Sequence, residues 1–131
     1  MNLLILKTEL LSGHPDTGMY DSNDLLASIQ LNFKNRTRNI ISLTGSEILN
    51  VIVKTDFNNL SVNDQQRIWN ILHLEVINPF GIEAAMFVDI FGSNSNTITT
   101  LKLLRKENIS RATEIGLNKI KTGDVERARD L

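Results

Sequence analysis

The sequence contains no cysteine, and that absence removes several chemistries at once. Disulfides, thiolate-bound zinc, iron–sulfur clusters and thiol nucleophiles all require the missing sulfur. Histidine is nearly as scarce, with only His14 and His73. A metal hydrolase groups histidines and carboxylates at short spacings, but His14 has only Asp16 near it and His73 only Glu75, and one such step on its own is close to random. No segment approaches the ~18 uninterrupted apolar residues of a membrane span, so no membrane association is expected. The opening run Leu3-Leu4-Ile5-Leu6 is interrupted by Lys7 and Glu9 and lacks a cleavage site, which predicts a first helix and not a signal segment. Neither G-x-x-x-x-G-K nor G-x-G-x-x-G occurs, and no G-x-S-x-G supplies a nucleophile. The sequence therefore reads as a non-enzyme, with no catalytic residue, cofactor or metal expected.

What is present suits a soluble globule: 131 residues, 41% hydrophobic and 22% charged, expected to form a single helical domain over 1–131. Leu25, Leu26, Ile29 and Phe33 recur at three- and four-residue steps behind Asp21 and Ser22, predicting an amphipathic helix over 21–33. Thr44 and Glu47 form a T-x-x-E capping box ahead of an expected buried stripe of Ile48, Leu49, Ile52 and Val53. Ser61 and Asp64 open a third helix carrying Ile68, Leu72 and Val76, with Trp69 expected in the core. Asn78-Pro79-Phe80-Gly81 predicts a turn, with the glycine free to take positive φ. Ala84, Phe87, Val88 and Phe91 then form a stripe that stops at Gly92. Helices are expected over 97–106, from Ser110 through Leu117, and from Thr122 onward with Val125 and Ala128 inward. Ile40, Ile41 and Leu43 suit a strand as readily as a connector, so 37–43 is read as extended. The predicted fold class is mainly all-α, a compact bundle of about seven or eight short helices.

His14-Pro15-Asp16-Thr17-Gly18 has turn chemistry at each position and reads as a tight loop. Charge is uneven. Residues 101–131 hold eight basic side chains against five acidic, a net +3, while residues 1–100 hold six against ten, a net −4. Lys102, Arg105, Arg111, Lys119 and Lys121 form a candidate interaction surface on this basic third. A helix-turn-helix reading places helices at 97–106 and 110–117 around a turn at Glu107-Asn108-Ile109. The fit is loose: Glu114 shares the recognition side with Arg111, Gly116 interrupts the second helix, and acids are interspersed among the cations. Nucleic acid is not the expected partner.

Seven short segments then occur in a familiar order. They are Leu6-Lys7-x-Glu9-Leu10, Asn35-Arg36-Thr37-Arg38-Asn39, Thr44-Gly45-Ser46-Glu47, Ile77-Asn78-Pro79-Phe80-Gly81, Ile90-Phe91-Gly92, Ser110-Arg111-Ala112-x-Glu114-Ile115-Gly116-Leu117, and Gly123-Asp124-Val125-x-x-Ala128-Arg129. The series resembles a family of small proteins encoded by tailed bacteriophages among their virion structural genes. None of the motifs has a chemical role, so the resemblance implies a context and no site residue. That context is a head, head-to-tail or tail component, assembled in the host cytoplasm into the virion. Its partners would be other phage structural proteins or further copies of itself. The rival readings are a phage-encoded regulator or host-defence inhibitor, and a DNA-binding module using the basic third.

Overall fold

The structure, a computed structural model, describes residues 1–131. In chain order the elements are α1 (Leu3–Ser12), α2 (Asp24–Asn32), β1 (Arg36–Asn39), α3 (Gly45–Leu49), α4 (Lys54–Asn58), α5 (Val62–Leu72), α6 (Ile82–Phe91), α7 (Asn96–Leu104), β2 (Lys106–Ile109), α8 (Arg111–Glu114) and α9 (Thr122–Arg129). The chain is mainly helical, with nine helices, slightly more than expected, and one two-stranded sheet of β1 and β2. It divides into two compact units, residues 1–38 with 108–131, and residues 39–107.

The first unit is built from α1, α2, α8 and α9. Leu6, Ala27, Leu31, Val125 and Ala128 are fully buried in its core, and Tyr20 lies at the core's edge. Each buried leucine contributes about 2 kcal/mol by leaving water. Asn32 fixes the approach to α9: its amide nitrogen donates to the Ile120 carbonyl at 2.7 Å, and its oxygen accepts from the Ile120 N–H at 2.8 Å. One side chain thus satisfies a buried peptide group as a neighbouring strand would.

The second unit packs α3 on α5, α5 on α6 and α6 on α7 around Leu43, Ile48, Ile68, Ile77, Phe87 and Ile98. Leu43 and Ile77 exchange two backbone hydrogen bonds, both 2.8 Å, which tie the chain before α3 to the chain after α5. The Thr44–Glu47 capping box forms as read, and Ser61, Ser95 and Ser110 each cap a helix by accepting an amide hydrogen. Thr97 is fully buried but satisfied: its N–H and its hydroxyl donate to Asp56 Oδ2 at 2.9 and 2.7 Å, and its oxygen accepts from Val53 N–H at 3.1 Å.

Several expectations are corrected. The helix opened by Thr44 ends at Leu49, which is exposed, and a separate α4 follows, so Ile52 and Val53 belong to the connection. Trp69 is 38% exposed and lies edge-on to Phe57 at 5.8 Å, at the margin of the core and not within it. Val76 is exposed. The Asn78–Gly81 turn forms with Gly81 at φ −96°, so the glycine's positive-φ freedom is unused there, whereas Gly92 ends α6 at φ +88° as its residue type allows. Residues 107–109 are strand and not turn, Lys106 belongs to that strand, and α8 stops at Glu114 because Gly116 turns the chain at φ +84°. The helix-turn-helix geometry is therefore not formed.

Candidate interaction surface

The largest departure from the sequence reading lies on α2. Leu25, Leu26 and Ile29 of its predicted stripe are helical and Phe33 is the extended C-cap, but the stripe faces out: the four are 54%, 48%, 54% and 66% exposed. The face turned inward carries Ala27, Ser28 and Leu31, packed toward α8 and α9. The cause is steric. α2 is apolar on both sides, and the side with alanine and serine lets another helix approach closely, which the branched side does not. Asn23 caps the helix through the Leu26 N–H at 3.1 Å, and Ser28 Oγ donates to the Leu25 carbonyl at 2.6 Å, so no backbone demand pulls the stripe inward. On α1, Leu6 and Leu10 are buried while Leu4 and Leu11 are 66% and 69% exposed. Single exposed leucines are ordinary, but Leu25, Leu26 and Ile29 exposed on one short helix, with Phe33 exposed at its C-cap, make an apolar cluster of the kind that marks a contact surface.

The ionisable groups of the first unit are turned on each other. Glu9 is buried and accepts from Tyr20 Oη at 2.6 Å, from Arg111 Nε at 2.8 Å and from Arg111 Nη2 at 3.0 Å. Arg111 also pairs with Glu114, whose carboxylate accepts from Arg36 Nε at 2.9 and 3.0 Å, and Arg36 reaches Asp16 at 2.8 Å. Signs alternate along the chain Glu9, Arg111, Glu114, Arg36, Asp16. Burial alone would raise the Glu9 pKa, but the hydrogen bonds from Arg111 and Tyr20 outweigh it and hold the carboxyl below its ordinary value. At Glu114 desolvation is outweighed in the same way, by Arg36 and Arg111, and Arg36 lowers Asp16 directly. Burial, then the Glu9 carboxylate, push the Tyr20 phenol upward, and Glu9 raises Arg111. Each carboxylate is fixed in its ionised form, which suits anchoring and not proton transfer near neutrality.

His14 belongs to the tight loop read from sequence, closed by His14 N–H to Gly18 O at 2.7 Å and Gly18 N–H to His14 O at 3.0 Å. Its Nδ1 accepts from the Asp16 N–H at 3.0 Å, and its Nε2 lies 3.2 Å from Asn35 Oδ1, which assigns the proton to Nε2. His73 is exposed, with Nδ1 at 2.6 Å from the Trp69 carbonyl.

The five basic candidates are divided between the units. Lys102 and Arg105 lie at the end of α7 in the second unit; Arg111, Lys119 and Lys121 belong to the first. Lys102, Lys119 and Lys121 are exposed, while Arg105 stands over the Phe80 ring at 4.9 Å. Arg111 is committed to Glu9 and Glu114, so its guanidinium already has anions. Glu9, Tyr20 and Arg36 carry no signal in the sequence because their partners are remote, Arg36 and Glu114 by 78 positions and Glu9 and Arg111 by 102. No family model matches the chain, and neither a curated protein nor a solved structure is similar to it.

Proposed function

We propose that this chain is a structural component of a tailed-phage virion, in the head, head-to-tail or tail region, working through protein–protein contacts. The observation that carries the reading is the outward apolar face of α2. Left half in water, Leu25, Leu26, Ile29 and Phe33 forgo about 1 kcal/mol each of the transfer energy that a partner surface would supply. A partner subunit, either another phage protein or a further copy, covers that face. The ion pairs of the first unit support the same reading, because they commit these ionisable groups to joining α1 to α8.

Mass spectrometry of purified particles tests the assignment. Stoichiometric presence is expected, whereas absence from particles would favour a phage-encoded regulator or host-defence inhibitor. The surface itself is tested by the double change Ile29→Lys with Phe33→Lys. Incorporation into particles should fall to background while the isolated protein keeps its helical spectrum and melting temperature. Normal incorporation of that variant would remove α2 from the contact.

A further inference from the structure

A second site belongs to the unit formed by residues 39–107. A pocket of about 70 Å³ lies there, walled by Ile48, Ile77, Phe87, Ile98 and Leu101. Its only charged lining residues are Lys102 and Arg105, and no acid lines it. Arg105 is held in place by the Phe80 ring beneath its guanidinium. Its Nε is buried and has no hydrogen-bond partner. Native structures leave few buried donors unmade, and each one asks for an acceptor.

We propose that this pocket binds a short, branched aliphatic carboxylate, with its hydrocarbon end among the isoleucines and its carboxylate on Arg105. Charge decides the head group. The planar Arg105 guanidinium offers paired N–H donors that match two carboxylate oxygens, and Lys102 adds a second positive charge to the same lining. Volume decides the tail. A cavity that admits benzene is about 150 Å³, so this one, at about half that volume, takes a branched end of three or four carbons and excludes a ring. A carboxylate neutralises a guanidinium whose buried Nε makes no hydrogen bond of its own, and an apolar end replaces solvent against side chains that gain nothing from it.

Isovalerate is the probe, titrated into the full chain with methyl-labelled isoleucine, leucine and valine. Saturable shifts are expected at the Ile48, Ile77 and Ile98 methyls, and none with isovaleramide at equal concentration. Arg105→Met should weaken binding by about tenfold or more, since it keeps the apolar stem and removes the charge-assisted donors. Ala84→Leu should block binding by filling the pocket, as Ala84 lines it. Should Arg105→Met fail to fold, Arg105→Lys keeps the charge without Nε and is expected to weaken binding too. Four results overturn the proposal: no saturation by about 50 mM, equal binding of the amide, unchanged affinity in a folded Arg105 variant, or tighter binding of octanoate than of isovalerate.

Discussion

Glu9 shows how much a single side chain carries. Its carboxylate is 6% exposed and satisfies both the Tyr20 hydroxyl and two nitrogens of Arg111, whose side chain is 19% exposed. Glu9→Gln should destabilise the protein by about 2–3 kcal/mol, less than a fully orphaned buried charge because Glu114 still pairs with Arg111. Urea denaturation at neutral pH measures it, and wild-type stability would show that the cluster adds nothing. The pH dependence follows from the direction of the shifts. Glu9 and Glu114 have lowered values in the fold, so they stabilise it above their ordinary pKa of 4.5, and that contribution is lost as pH falls through the folded values. Tyr20 is raised from 10.0, so its contribution is complete below that value and is lost as pH climbs above it. Glu9→Gln should flatten the acid limb, which a melting series from neutrality to pH 3 would reveal. Trp69 and Phe87 look alike in sequence, each within a helical apolar stripe, but only Phe87 is buried, at 3% exposure. Phe87→Ala should cost about 3–5 kcal/mol and Trp69→Ala no more than about half of that, because a marginal ring leaves a smaller cavity. Equal losses in chemical denaturation would contradict the placement.

At the scale of elements, local signals are readable in the sequence and long-range ones are not. Thr44, Ser61 and Ser110 announce their helices because a cap is a contact over three residues, and the His14–Gly18 loop closes on itself. The end of α3 and the strand character of 106–109 carry no comparable signal, since β2 is defined by its pairing with β1 far away in the sequence. The periodicity of α2 is legible, but the side it buries is not, because Leu25, Ile29 and Phe33 compete with Ala27 and Leu31 and the neighbour's shape chooses between them. Ala27→Leu should therefore cost about 1–3 kcal/mol by overpacking, whereas Ile29→Lys should fall within about 0.5 kcal/mol of wild type in the isolated protein. A reversed order in thermal melts would mean α2 sits the other way round. Gly45 makes a similar point: a Cβ there would stand 1.8 Å from the Leu72 carbonyl oxygen, so α3 reaches α5 only through a residue with no side chain. Gly45→Ala should unfold or markedly destabilise the second unit, seen as lost dispersion of the Ile68 and Ile71 methyl resonances.

At the scale of the whole molecule, the apolar stripes do not say which core each one joins. α1 and α2 share a core with α8 and α9 from the opposite end of the chain, while α3 to α7 form theirs among themselves. That assignment sets a difference in loop closure. The second unit draws only on residues 39–107, so its contacts do not depend on α8 and α9, whereas the first unit is incomplete without them. Leu6, Ala27 and Leu31 must wait for Val125 and Ala128, and closing that long loop is an entropic cost that the completed second unit shortens by holding the ends of the intervening segment, where β1 pairs with β2. Until that loop closes, α1 and α2 expose their inner leucines as well as the outer stripe, so the unfolded chain offers most apolar surface to wrong partners before its first unit is complete.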